Sequence, residues 1–242
     1  MAGRGSRFFE NGFVQPKPLI EIHGAPFFYW AARSIEKNIP LDGITFVVLK
    51  EHIRDFALDV RIRACWPDAR IVALDDVTPG AAVTCQKGCE GLPDGVPVLF
   101  NDCDHLFLCR AFDEFCRAGD FASGPDGALL TFPSDSPAYS YLQYGENGLV
   151  CRTVEKQVVS RDAICGAYYF KDKATYLSAC AEYLHTCQYK EFFVSGVYNV
   201  MAGRGQAVRG FATDLHLPFG TPAEYALAER PENAAGFEAL KA

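Results

Sequence analysis

The sequence predicts a three-layer α/β fold with a mostly parallel sheet, and three observations predict it. Short runs such as ITFVVL and RIVAL are β-branched and apolar almost throughout, which suits strands covered on both faces, as in a parallel sheet. Helical stretches alternate with these runs over the first half of the chain, the order of an α/β fold. The second half is more irregular, and the length of 242 residues is within reach of one large domain.

Taken in order, Pro26–Lys37 reads as a helix with proline in its first turn. Ile44–Leu49, Arg70–Leu74 and Val96–Phe100 read as strands, with shorter helices at Glu51–Leu58 and Ala81–Cys89. Later strands are expected at Leu129–Pro133, Tyr139–Tyr144 and Ile164–Phe170, and helices at Lys173–Leu184 and from about Glu191 to Ala202. No long low-complexity linker interrupts the chain, so residues 1–242 are expected to form a single domain, with a polar, frayed tail over 231–242. The opening MAGRGSRF has the look of a strand-to-loop turn, and a glycine-rich loop of this kind follows the first, central strand of such a sheet. That first strand is therefore expected upstream of Met1.

About half the residues are apolar, 22% are charged, and the formal net charge is −7 with signs mixed along the chain. The balance fits a soluble protein with a sizeable core and argues against a partner that needs a broad basic face, whether nucleic acid or membrane surface. No run approaches the roughly 18–20 apolar residues of a membrane helix, and no apolar leader opens the sequence, so a cytoplasmic protein is expected. The ten cysteines include no CxxC pair. They are expected to be buried free thiols, not zinc ligands.

Chemistry concentrates in a few segments. Gly3-Arg4-Gly5-Ser6-Arg7 is followed by Pro16-Lys17. Two glycines let backbone N–H groups approach an anion, and Arg7 and Lys17 add fixed positive charge, as a polyphosphate requires. Thr78-Pro79-Gly80-Ala81-Ala82 places a turn and small residues at a helix start, where backbone can meet the edge of a nucleobase. In NDCDH, Asp102 and Asp104 follow an apolar run and, if the strand continues, project to one face at period two. An acidic group at the carboxyl end of such a strand is where a Mg²⁺–nucleotide would sit. His105 reads as a polar loop residue.

The segment MAGRGSRFFENGFVQPKPLIEIHGAPFF resembles the signature of the sugar-phosphate nucleotidyltransferases, also called nucleoside-diphosphate-sugar pyrophosphorylases. The resemblance continues in order through VTPGAAVT, VLFNDCDH, VEKQVVS, GAYYF, KEFFVSGVYN and FGTPAEY, and so spans nearly the whole chain. It is especially similar to the branch found in polysaccharide gene clusters. The resemblance implies a three-layer α/β/α sandwich with a Rossmann-like, GT-A-like sheet, divided into a nucleotide-binding half (residues 1–125) and a sugar-phosphate-binding half (126–230). It implies nucleotide contacts from Ala2, Gly3, Gly5, Ser6, Thr78, Gly80, Ala81 and Ala82, and Mg²⁺ on Asp104, with Asp102 as the reserve ligand. Glu155 would bind the sugar and Lys156 its phosphate, and Gly166 would leave room for the ring. The sequence departs from the pattern at Gly196, where many relatives carry an aspartate; Glu191 is the nearest carboxylate. Phe219 likewise stands where some relatives have aspartate.

The reaction so implied is NTP plus a sugar 1-phosphate, or a similar phosphomonoester, giving an NDP-sugar and pyrophosphate. Arg7, Lys17, Asp104 and Lys156 are the expected catalytic residues. Two alternatives stay open: a metal-dependent glycosyltransferase, since Asp102-Cys103-Asp104 satisfies Asp-x-Asp, and a non-catalytic nucleotide-binding relative. The pentapeptide MAGRG recurs at residues 201–205. There it lacks a downstream Pro-Lys and reads as a helix end, with Gly203 or Gly205 as a left-handed cap and Arg204 as a last-turn cation.

Overall fold

The computed structural model describes residues 1–241. In chain order these form α1 (Ser6–Glu10), a 3-10 turn (Lys17–Leu19), β1 (Glu21–Ile22), β2 (Ala25–Pro26), α2 (Phe27–Glu36), β3 (Thr45–Leu49), α3 (Lys50–Phe56), α4 (Leu58–Cys65) and β4 (Arg70–Leu74). Then come α5 (Ala81–Gly88), β5 (Val98–Asn101), β6 (His105–Leu108), α6 (Arg110–Ala118), β7 (Gly127–Pro133), β8 (Ser140–Tyr144), β9 (Val150–Glu155) and β10 (Asp162–Phe170). The chain ends with α7 (Lys173–Thr186), α8 (Val194–Gly203), β11 (Val208–Ala212), β12 (Leu215–Pro218), α9 (Pro222–Ala228) and α10 (Ala234–Lys241). These elements divide into two compact units. One comprises Met1–Thr78, Asp102–Leu108 and Leu215–Ala242, the other Pro79–Asn101 and Cys109–Asp214.

In the first unit, β3 and β4 pair in parallel from Thr45 opposite Arg70 to Leu49 opposite Leu74. Phe46 and Val48 alternate inward and bury with Leu19, Phe28, Leu58 and Ile62, the period-two pattern of a strand. The α2 helix buries Phe27, Trp30, Ala31, Ser34 and Ile35, an apolar stripe at helical spacing. Its Trp30 Nε1–H donates to the Ile22 carbonyl at 2.8 Å. The antiparallel pair β6–β12 runs from His105 opposite Pro218 to Leu108 opposite Leu215. Phe107 N–H donates to the buried Ser34 Oγ at 3.0 Å, which fixes β6 to α2.

Two expectations about chain segments are corrected. The tail over 231–242 is not frayed in its described part: it holds α10, with Phe237 and Leu240 fully buried. Those side chains lie three residues apart and share one helix face, and Phe237 meets Trp30 edge-on at 5.0 Å between centroids. The strand through Val96–Phe100 also does not continue to Asp104. It stops at Asn101, and a new strand starts at His105, because β5 pairs with β10 whereas β6 pairs with β12. Asp102 and Asp104 therefore sit in a turn.

In the second unit the sheet order is β11–β7–β10–β8–β9, with β5 also paired to β10. Helices cover both faces, so the α/β class holds. Tyr168 and Phe170 lie over Tyr198 of α8 at 6.4 and 4.7 Å between centroids. Tyr169, on the opposite face, meets Phe112 and Phe115 of α6 at 6.0 and 5.4 Å. The strand directions are a correction: among the described residues the parallel pairs are β3–β4 and β7–β11, and the other ladders are antiparallel. Cover on both faces makes a strand apolar whatever its direction, so apolar runs alone cannot report it.

Gly196 of α8 shows how tightly this unit packs. A Cβ there would overlap the ring of the buried Tyr183. Gly196→Ala is expected to destabilise the protein by about 1–3 kcal/mol, the usual cost of overpacking a core. Urea unfolding checks this as a lower midpoint at an unchanged slope.

Candidate active site

In the first unit the glycine-rich loop is anchored at both ends. Ala2 is buried before it, and Phe8 after it packs edge-on against Phe13 and Phe27. Gly3 and Ser6 are exposed, and nothing lies within 4 Å of a Cβ built at Gly3. Gly5 takes the left-handed conformation at φ 64° and passes so close to Lys17 that a Cβ would fall 2.9 Å from the lysine's own Cβ. Arg4 is tied to Asp76 at 2.9 Å and to Glu51 at 3.6 Å. Arg7 is exposed, and its side chain has no ion pair among the described residues.

Lys17 opens the 3-10 turn, whose Pro18 and Leu19 are buried, and its Nζ pairs with Asp104 Oδ2. Both side chains are about three-quarters covered. Burial pushes the Asp104 carboxyl up, but the charge and hydrogen bond of Lys17 outweigh it and hold the group below the usual carboxylate range. Burial pulls Lys17 down, and Asp104 leads the acidic neighbours that lift it above the usual lysine value. Both groups are charged at neutral pH. The Asp104 carbonyl accepts from Phe219 N–H at 2.9 Å, which lays Gly220 against the carboxylate. A Cβ at Gly220 would overlap Asp104 Oδ2. His105, expected in a loop, instead opens β6 and is buried; burial lowers its pKa to about 4, so it is neutral at pH 7.

Beside the loop lies a cavity of about 510 Å³ lined by Arg4, Ser6, Glu10, Glu51, His52 and Asp55 among others. Its three carboxylates, Glu10, Glu51 and Asp55, make it a poor seat for a polyanion.

Thr78 is the last residue of the first unit's opening segment, and the second unit holds Gly80, Ala81, Ala82, Glu155, Lys156 and Gly166. Gly80 precedes α5 where the backbone of Phe192 passes too close for any Cβ. Ala82 N–H donates to the Phe192 carbonyl at 2.9 Å, and its own carbonyl accepts from Tyr176 Oη at 2.5 Å. Ala82 is thus a buried packing residue with both backbone groups engaged, while Ala81 is exposed at the helix start. Gly166, at φ 102°, lies in the stretch where the register of β10 against β7 shifts, a bulge.

Glu155 ends β9 and Lys156 follows it in the left-handed region at φ 53°, an uncommon state for a residue with a side chain. The Lys156 ammonium lies over the Phe193 ring at 5.3 Å. Two residues that sequence reasoning missed, Ser140 and Ser195, both donate hydroxyl hydrogen bonds to Glu155 Oε1. Tyr189 adds its hydroxyl as acceptor for Glu155 N–H at 3.5 Å. Ser195 stands one residue before the glycine that marks the departure from the family pattern. The departure itself stands: Gly196 faces Tyr183, Glu191 is exposed, and Phe219 is buried with Phe27 and Phe237.

The donor set fits one hard divalent cation. Asp104 is ionised, Gly220 leaves its carboxylate room, and Oδ1 accepts no hydrogen bond among the described residues. Oxygen donors of this kind suit Mg²⁺. Asp102 is exposed in the same turn.

No family model matches the chain, and no curated protein matches it. Solved structures do. A nucleoside-diphosphate-sugar pyrophosphorylase from Vibrio cholerae RC9 aligns at 25% identity and TM-score 0.80 over 95% of this chain and 98% of its own. An inositol-1-phosphate CTP transferase from T. maritima aligns at 16% identity and TM-score 0.76, covering 99% of this chain and 93% of its own. A Bacillus anthracis protein assigned as a glucose-1-phosphate thymidylyltransferase, crystallised with sucrose, gives 18% and 0.73 over 94% and 90%. The chain shares its fold with these nucleotidyltransferases.

Proposed function

We propose that the chain transfers a nucleotidyl group from an NTP to a sugar 1-phosphate or similar phosphomonoester, releasing pyrophosphate, and that the product feeds surface-polysaccharide assembly. One observation carries the reading: a part-buried, fully ionised Lys17–Asp104 pair lies where the glycine-rich loop crosses Lys17, in a fold shared with a nucleotidyltransferase over 95% of the chain. Phosphoryl chemistry of this type needs no protein nucleophile; positioning and charge neutralisation suffice.

In the proposed mechanism Lys17 leaves Asp104 for the triphosphate, and Arg7 joins it in stabilising the departing pyrophosphate. Backbone N–H groups of residues 2–6 line the phosphates. Asp104 would hold a divalent cation, which when bound supplies charge neutralisation at the α-phosphate. On the acceptor side, Lys156 orients the attacking phosphate and Glu155 receives hydroxyl groups. The acceptor phosphate oxygen forms the new bond to the α-phosphorus in line as the bond to pyrophosphate breaks. Thr78, Gly80 and Ala81 are assigned to the nucleobase, with Ala82 supporting them from the core.

A screen of four NTPs against a panel of phosphomonoesters with Mg²⁺ tests the proposal. Pyrophosphate is expected with at least one pair. Turnover of an NDP-sugar onto an acceptor, with no pyrophosphate from any NTP, would establish the glycosyltransferase alternative. NTP binding without turnover of either kind would establish the non-catalytic one. Among the described residues no helix is long and apolar enough to cross a membrane.

A further inference from the structure

Glu155 is held more firmly than a surface glutamate needs to be. Ser140 opens β8 directly opposite Glu155 across the β8–β9 ladder, and Ser195 lies in the first turn of α8, almost completely buried. Their hydroxyls converge on the same oxygen, Oε1. A carboxylate accepts about four hydrogen bonds, two on each oxygen. Oε1 is therefore filled, and Oε2 accepts none among the described residues.

The frame behind these hydroxyls is rigid. Thr153 Oγ1 donates to the Ser195 carbonyl at 2.8 Å. Asn199, one turn further along α8, takes the Thr153 N–H on its Oδ1 at 2.7 Å and donates from its Nδ2 to the Thr153 carbonyl at 3.1 Å. The amide thereby satisfies the free edge of β9, which has β8 on its other side and would otherwise leave backbone groups unpaired. Helix α8 is thus bonded to the strand that ends in Glu155, and Ser195 is carried on that joint.

We infer that Ser140 and Ser195 are positioning residues that clamp Glu155 by one oxygen and so make the second substrate's hydroxyl donors the feature it selects. Each serine uses its single proton on Glu155. The clamped group presents only acceptor oxygen to a ligand, and a substrate without a donor leaves that charge unanswered. A site built this way discriminates strongly against the analogue that lacks the hydroxyl. The inference rests on the proposed acceptor role of Glu155 and adds to it a reason for the choice of substrate.

The test compares equilibrium binding of inositol 1-phosphate and of cyclohexyl phosphate, which keeps ring and phosphate but lacks the ring hydroxyls. Calorimetry on the full chain is expected to show the wild type preferring inositol 1-phosphate by at least about tenfold, the worth of one charge-assisted hydrogen bond. Ser140→Ala/Ser195→Ala should bring that preference below about threefold while leaving cyclohexyl phosphate affinity, set by Lys156, within about twofold. Ser195→Thr, which keeps the hydroxyl, should restore it. The inference is overturned if the wild type shows no preference, or if a folded double variant keeps the full preference. If the double variant fails to fold, the single Ser140→Ala chain decides: an undiminished preference there overturns it too. Binding is read without turnover, so a preserved preference in a chain that never releases pyrophosphate would sink the reaction and leave the clamp standing.

Discussion

Lys17→Ala is expected to lower pyrophosphate release by about 10²–10³-fold in a chain that still folds, the usual loss when one preorganised charge aimed at the reacting group is removed. Lys17 is a part-buried cation beside the glycine-rich loop, at the start of the 3-10 turn whose Pro18 and Leu19 are buried. Water offers little compensation there, because the Lys17 side chain is three-quarters covered. The variant also leaves the Asp104 carboxylate without its partner, a stability loss on the order of 1–3 kcal/mol. Activity and stability separate in the swapped variant Lys17→Asp/Asp104→Lys, which restores opposite charges without restoring their order. It should regain much of the stability and none of the rate. Near-normal release from Lys17→Ala, measured with saturating substrates, would remove Lys17 from the mechanism.

Gly220→Ala is expected to cost about 10²-fold in kcat, because a displacement of about 1 Å at a reacting centre is worth that much. The added Cβ overlaps Asp104 Oδ2, the atom paired with Lys17. Gly220 does not have a positive φ, so no backbone penalty accompanies the change and the effect is purely steric. The carboxylate must turn aside, and Lys17 loses its alignment with it. Gly203→Ala supplies the comparison, since nothing lies within 4 Å of a Cβ at that exposed helical position. That variant should match wild-type kcat. Equal rates from both glycine variants would show that the carboxylate works from a different rotamer.

Much of the fold was legible where local pattern and tertiary role agree. Strands β3 and β4 read correctly because their runs are short, β-branched and largely apolar, and α2 because its stripe repeats at helical spacing. The turn between β5 and β6 was read through: Asn101, Asp102 and Asp104 are turn-forming residues, but the segment has no glycine or proline, and the chain changes strand partners there for reasons fixed by distant β10 and β12. Helix α10 was hidden by its composition, since only Phe237 and Leu240 of its residues are fully buried. The same logic sorts the site. Glycines, Lys17, Asp104 and Glu155-Lys156 stand out because charge and small residues cluster within short segments. Gly220, Ser140 and Ser195 are chemically bland, and only the neighbour each one touches gives it a role. Arg4 is the converse case, a guanidinium inside the motif that is already committed to Asp76 and Glu51.

The two MAGRG segments make one more distinction available. Gly5 and Gly205 share the left-handed conformation, at φ 64° and φ 76°, yet the first precedes a helix and the second follows one. Arg204, like Arg4, is neutralised by a carboxylate, here Glu182 at 2.6 Å. The five letters therefore encode a bend and an occupied arginine, and do not by themselves specify a phosphate site. What sets the first copy apart is the charge that follows it, in Arg7 and Lys17, so a scan for the pentapeptide alone would not tell the two places apart.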